Sequence, residues 1–286
     1  LDDITPLQQL DADALAAPVH LFSPRPAYRF RGKAGREGQP EDPAAGENPE
    51  YGASIHYLLK DQAEESVKLD ILDASGEVVR ELRDAPADAG LNRTYWDLRY
   101  EASETPKMRT RVLEHSHVSF GDDGWRPAGE TGRVRPLAPP GEYTLRLTVG
   151  NQVFTQPLTV LKDPTSTGTV EDIQAQTRVI LELREEANAA VALINEAEVI
   201  RAQLQDLTER VAGMEDAQQI IQPAEELDSS LMNLEMSLTD LRLSGGTAGQ
   251  DRLRWPRQLY AKVTSLAGYI GGSDFPPTTQ QLDVHE

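Results

Sequence analysis

The spacing of apolar residues changes period near residue 165, and the chain divides there. Before that point apolar and polar residues alternate in short runs, the pattern of strands with one buried face. Val67, Leu69 and Ile71 share a face opposite Lys68 and Asp70. Trp96, Leu98 and Tyr100 alternate with Asp97 and Arg99, while Tyr143, Leu145, Leu147 and Val149 alternate with Thr144, Arg146 and Thr148. Further strands are predicted over 20–23, 27–31, 54–59, 77–82 and 153–160. Gly150-Asn151 and Ala74-Ser75-Gly76 supply hairpin turns, since glycine reaches backbone angles closed to other residues. Short strands and turns at this spacing predict an antiparallel β-sandwich.

After residue 165 the spacing is helical. Ile173, Ile180, Ala187 and Ile194 fall seven apart, as do Leu183, Ala190, Ala197, Leu204 and Val211. One helix of roughly forty residues, about 60 Å long, carries both rows. Ile220, Ala224, Leu227, Leu231, Leu234, Leu238 and Leu241 alternate spacings of four and three, with Leu231, Leu234 and Leu238 at the centre of the seam. Pro223 is expected near the first turn of this second helix, where its missing N–H matters least. A third helix carries Leu259, Val263, Leu266 and Ile270 and stops at Gly271-Gly272. The short connection at 212–216 predicts an antiparallel helical bundle, a simpler use of the leucine row than an intermolecular coiled coil. A further helix begins near residue 278. It predicts an incompletely covered apolar patch near Leu282 and Val284 that favours self-association or another protein.

These periods assign 1–17 to a linker and 18–162 to the sandwich, with insertions at 32–52 and 101–138. They assign 163–168 to a hinge and 169–286 to the bundle, which reads as cut short. The change of period predicts that the two halves fold separately.

Composition narrows the possible partners. A length of 286 residues suits two domains. A net charge of −19 repels phosphate backbones and anionic lipid, so no nucleic-acid partner is expected. No apolar run is long enough to predict a membrane span. Without cysteine there is no disulfide, thiolate metal site or cysteine nucleophile. The absence of a starting methionine and of a leader-like segment reads as a mature product or an excised piece.

The sharpest candidate chemistry is His115-Ser116-His117. On a strand an i, i+2 pair projects both imidazoles to one face and can chelate zinc or copper, with Glu114, Asp122 or Asp123 as further ligands. The competing reading is a solvated hairpin tip, since no third ligand has fixed spacing. Ser119-Phe120-Gly121-Asp122-Asp123-Gly124-Trp125 resembles the Ser-x-Asp-x-Gly-x-Thr-Trp turn of neuraminidase-type propellers, but Ser119 lies three residues before Asp122, and it reads as a loop. Paired carboxylates could hydrolyse glycosides, yet nothing singles out a pair among 47 acidic residues. Trp125, Tyr51 and Tyr57 could stack on sugar or simply pack. Asn92-Arg93-Thr94 fits the glycosylation pattern and reads as strand sequence. No catalytic set and no cofactor are assigned.

Three stretches carry a resemblance: Leu69 to Arg80 (LDILDASGEVVR), Gly90 to Asp97 (GLNRTYWD) and Pro139 to Arg146 (PPGEYTLR). They are similar to the Ig-like, fibronectin-like sandwich of flagellar hook-capping proteins and many bacterial surface proteins. The resemblance implies structural roles for Trp96, Asp97, Gly141 and Tyr143: the tryptophan fills the sandwich, and Pro-Pro-Gly-x-Tyr leads into a strand. Leu98 stands where the hook-capping pattern often has glycine, so the match is to the wider group. The whole chain resembles the C-terminal region of secreted bacterial sortilin-like or glycosyl-hydrolase-like (neuraminidase-repeat) β-propeller proteins. Residues 1–7 (LDDITPL) look like the last propeller strand and exit, and 18–26 (PVHLFSPRP) and 46–52 (GENPEYG) look like the approach to the sandwich. The segment from Gln156 through Asp163-Pro164 follows the same pattern. This resemblance implies an extracytoplasmic, non-catalytic module that braces or presents its own upstream propeller. The alternative is a glycan- or peptide-binding module working beside a glycosidase-like propeller, and a hydrolase acting alone is a third class.

Overall fold

Alternation becomes strand much as expected. The computed structural model describes residues 3–31, 49–63, 66–113, 115, 117–129, 132–244 and 254–286. Strands β1 (Val19–Leu21), β3 (Ala53–Leu59) and β6 (Gly90–Trp96) form one sheet in the order β1-β3-β6. Strands β2 (Ala27–Arg29), β4 (Val67–Leu72), β5 (Val78–Leu82), β9 (Gly141–Val149) and β10 (Gln152–Lys162) form a second, ordered β2-β10-β9-β4-β5. β7 (Lys107–Met108) and β8 (Arg126–Pro127) make a separate two-stranded ribbon. Both expected hairpins are present: β9 and β10 pair across Gly150-Asn151, and β4 and β5 pair across the turn at Ala74-Ser75-Gly76. The Asp73 carboxylate stabilises that second turn, accepting from the N–H groups of Ser75 at 2.9 Å and Glu77 at 3.0 Å.

The inward residues of both sheets meet in one core. Ile55, Tyr57, Leu59 and Trp96 from the first sheet pack with Leu69, Ile71, Leu145, Leu147 and Leu158 from the second. Each such side chain contributes about 1.5–3 kcal/mol by leaving water. Trp96 is fully buried and meets Tyr143 edge-on, ring centroids 5.1 Å apart. Its indole N–H donates to the Arg99 carbonyl at 2.9 Å. The Tyr143 hydroxyl donates to the Pro139 carbonyl at 2.8 Å, and burial pushes its pKa up. Burial likewise pushes the Tyr57 hydroxyl, which donates to the Pro86 carbonyl, up to about 12.

Four expectations change here. The strands are not all antiparallel: β2 runs parallel to β10. Pro24 and Pro26 lack the N–H needed to extend β1, so the chain leaves the first sheet and restarts at the edge of the second. Trp96, Leu98 and Tyr100 do not share a strand, because β6 ends at Trp96 and Leu98 takes a left-handed φ of 54°. Asp97 lies half-buried just beyond that end. Gly141 opens β9 with free space where a Cβ would stand and no left-handed φ, so the fold does not require glycine there. The requirement falls instead on Gly52, with φ of 123°, where a Cβ would come within 2.1 Å of the Trp96 carbonyl oxygen. Finally, residues 5–8 are not extended. Pro6 sits at the start of a single helical turn, α1 (Thr5–Gln8), followed by α2 (Ala12–Ala16), whose N-cap Asp11 accepts from the Ala14 N–H at 2.8 Å.

The longer helices are α3 (Val170–Val211), α4 (Gln218–Leu238), α5 (Leu259–Ile270) and α6 (Thr279–His285). None is long and apolar enough to cross a membrane. α4 begins before Pro223, which therefore lies in its second turn and leaves the Gln219 carbonyl without an intrahelical donor. The leucine row of α4 is not its buried face. Leu238 and Ala224 are buried and Leu231 half-buried, but Leu227 and Leu234 are 48% and 57% exposed. The helix is rolled so that Asp228 and Glu235, one residue beyond those leucines, face inward to the Arg201 guanidinium. Leu282 and Val284 on α6 are also exposed.

Two compact units result. The first comprises Leu1–Glu101, Pro136–Thr177 and Asp274–Pro276; the second comprises Ala102–Arg135, Arg178–Ser273 and Pro277–Glu286. In the first, Asp274 is gathered in by Arg29 at 2.5 Å, Arg31 at 2.7 Å and the Ser166 hydroxyl at 2.7 Å. Burial alone would raise its carboxyl, but these three donors outweigh burial and hold it down to about 2. Gly168 lets the chain pass this point, since a Cβ there would fall 2.0 Å from the Asp274 carbonyl oxygen. In the second unit Met108, Ala128 and Val134 share a core with Ile180, Leu183, Ala187, Ile194, Leu238, Tyr260 and Ile270.

Each unit thus draws residues from both sides of Pro164. Fragments 1–164 and 165–286, prepared separately, are expected to lose the native fold; circular dichroism with cooperative melting of either fragment alone would contradict this. Trp96→Ala should cost about 3–5 kcal/mol in denaturant melts, the usual effect of emptying a large core site.

Candidate functional site

In the second unit a segment with little regular structure, residues 104–110, carries backbone N–H groups that need acceptors. α3 supplies them from one face. Asn188 accepts from the Glu104 N–H at 2.8 Å, and Asn195, two turns later, from the Lys107 N–H at 2.7 Å. Glu198, a further turn on, accepts from the Arg109 N–H, from the Thr110 N–H at 2.6 Å and from the Thr110 hydroxyl at 2.6 Å. Arg126 closes the ribbon by donating Nε to the Thr110 carbonyl at 3.0 Å.

Beneath the ribbon lies a buried ionic cluster. Glu198 and Glu235 have no exposed surface, and Arg201 and Arg126 almost none. Arg201 donates to Glu235 at 2.8 Å, Asp228 at 2.9 Å and Glu198 at 3.3 Å. Burial and then the negative charge of Glu198 push the Glu235 carboxyl up to about 8, so it is largely protonated at neutral pH. Among the described residues its Oε1 has no hydrogen-bond partner. The Arg126 guanidinium is lowered by burial, partly offset by Glu198 and Glu235.

Against this ribbon opens a groove of about 420 Å³ lined chiefly by apolar side chains: Pro106, Trp125, Pro127, Ala128 and Tyr260, with Arg133 among the few polar ones. Trp125 is half-buried, and the Lys107 ammonium sits 5.5 Å from its ring centroid, within cation–π range. The Tyr260 hydroxyl donates to the Gly132 carbonyl. Trp125 is held by a tight turn in which the Gly121 N–H donates to the Trp125 carbonyl at 2.9 Å and Gly124 takes φ of 74°. A second hollow, in the first unit, has a different character. It is lined by Arg80, Arg83, Glu81 and Glu101, whose charges pair among themselves at 3.2 and 3.6 Å.

The other candidates fall elsewhere. His115 and His117 are not on a strand; their rings meet edge-on with centroids 5.8 Å apart. Glu114 and Ser116 lie outside the described residues, and among those described no three His, Cys, Asp or Glu are grouped to hold a metal. Asp122 and Asp123 are exposed in the turn before Trp125. Tyr57 is buried in the first unit's core, and Tyr51, also of the first unit, donates its hydroxyl to the Phe30 carbonyl at 2.9 Å. Sequence reasoning missed Asn188, Asn195, Glu198, Arg201 and Glu235. Their signal was polar residues repeating at three and seven along otherwise apolar faces. No protein-family model matches the chain, and no curated protein matches it in sequence.

Glu235 makes stability depend on pH. Its folded pKa lies above the ordinary 4.5, so the folded state binds its proton more tightly than the unfolded chain. Stability from this group is complete below about pH 4.5 and is lost as pH rises towards about 8. Glu235→Gln should therefore be near neutral at pH 5 and stabilising at pH 8 or above. Thermal melts at the two pH values check this, and a variant weaker at both would refute it.

Proposed function

We propose that the chain is a non-catalytic interaction module of an exported bacterial propeller protein, and that the Trp125 groove is where its partner binds. The single observation that carries this reading is an apolar, aromatic groove set on a ribbon that α3 holds from beneath through buried hydrogen bonds. A concave apolar surface with a few polar groups on a rigid support is the usual form of a binding site. Among the described residues the lining contains no histidine and no carboxylate to serve as acid or base. The propeller context and the extracytoplasmic setting rest on the resemblance of the segments quoted above, and bracing the propeller is compatible with binding at this groove.

The reading takes the first unit as an Ig-like sandwich and the second as an antiparallel helical bundle. Supporting the former are the core common to both sheets and the bond from Tyr143 back to Pro139, the tyrosine-corner arrangement of such sandwiches. Supporting the latter are the links from Arg201 to Glu235 and from Gln205 to Asp228, which run in opposite directions along α3 and α4.

The test is retention of the full chain on glycan and peptide arrays. Binding on at least one array should fall about tenfold or more with Trp125→Ala. Turnover of aryl glycosides by the chain alone would replace this reading with the hydrolase class.

A further inference from the structure

Resting on that reading, we infer that the Trp125 groove takes an extended peptide segment bearing proline and carboxylate side chains. Charge complementarity carries the first part. Lys107 and Arg133 are exposed at the groove, and neither has a carboxylate partner among the described residues. Among the described residues Arg133 donates only through Nε, to the Ser103 carbonyl at 3.0 Å. Among the described residues, these two cations without carboxylate partners stand beside one apolar hollow. The hollow of the first unit has its arginines paired already. A ligand with carboxylates gives Lys107 and Arg133 the partners that they lack among the described residues.

The floor selects the rest of the ligand. Of the rings along the groove, Trp125 is half-buried and Pro127 exposed, while Pro106 and Tyr260 are buried; proline rings pack against such exposed ring surface without losing side-chain freedom. An extended proline-bearing segment arrives already ordered and has no internal hydrogen bonds to break. A sugar fits less well. Its hydroxyls need several directional partners, and the Tyr260 hydroxyl is already committed to the Gly132 carbonyl. A neutral sugar would also leave both cations unanswered. The ribbon that presents the rings is prepared beforehand: Lys107 is tied through its own N–H to Asn195, and Arg126, between Trp125 and Pro127, is tied to Thr110. Preorganisation of this kind lowers the ordering cost of binding an extended chain.

The experiment is calorimetric titration of the full chain with three blocked synthetic peptides, (Pro-Pro-Glu)₄, (Pro-Pro-Gln)₄ and (Pro-Pro-Lys)₄, and with a neutral cello-oligosaccharide. The acidic peptide should bind at least about tenfold more tightly than the neutral one, and the lysine peptide most weakly. Trp125→Ala should weaken the acidic peptide about tenfold or more, and Lys107→Glu with Arg133→Glu should reverse the preference between acidic and lysine peptides. Both cations are exposed, so the charge-reversed chain is expected to fold, and circular dichroism verifies that it does. Equal affinity for the acidic and neutral peptides would overturn the inference. So would peptide binding insensitive to Trp125→Ala, or no peptide binding at all. Oligosaccharide binding lost with Trp125→Ala, without peptide binding, would overturn the inference yet leave the interaction module standing. The array experiment alone decides that broader reading.

Discussion

A carboxylate withdrawn from water has to be met by donors, and in the second unit that demand organises everything around Glu198. It sits on α3 with no exposed surface, receives two backbone N–H groups and a hydroxyl from residues 109–110, and shares Arg201 with Glu235. Breaking such a buried pair by removing one partner costs several kcal/mol, because an unanswered charge is left behind. The cluster therefore does more than join helices. It dictates where an irregular segment lies, and that segment carries the ribbon and the groove.

The same demand explains the roll of α4. A row of leucines at alternating spacings of four and three would ordinarily face inward. Here Asp228 and Glu235 follow Leu227 and Leu234 by one residue, about 100° around the helix, and Arg201 draws them in. Exposing two leucines forfeits a few kcal/mol of hydrophobic burial. Leaving Arg201 buried without carboxylates would cost more. The first unit uses ionic contacts differently. Asp274 meets Arg29, Arg31 and Ser166 and fastens a distant piece of chain beside the sheets.

Seen from the groove, these buried contacts are its foundation. Trp125 precedes Arg126, whose Nε holds the Thr110 carbonyl; Lys107 stands opposite Pro127 in the ribbon. The apolar rings at the surface and the charges beneath are thus one construction, with the polar atoms spent on position and the apolar ones left for contact. Such a division suits recognition, where side chains must be presented without being consumed.

Much of the fold was legible because local periodicity is set by local geometry. Alternation at Val67–Leu72 and Tyr143–Val149 located strands, glycines at 76 and 150 located hairpin turns, and rows seven apart located α3. The groove was legible only as a lone tryptophan after a turn. Periodicity shows which face of a helix is apolar; it does not show whether a buried charge elsewhere will outbid that face. Leu234 therefore read as core and stands in solvent, while its neighbour Glu235 is buried. Likewise the 101–138 stretch read as an interruption of the strands, although 102–135 belongs to the helical unit. The sequence by itself determined strands, turns and helices, because these depend on neighbours a few residues apart. Only the tertiary structure decided which carboxylates meet Arg201, which face of α4 turns inward and which rings line the groove. Those outcomes rest on charges and surfaces brought together from residues 27 to 128 positions apart.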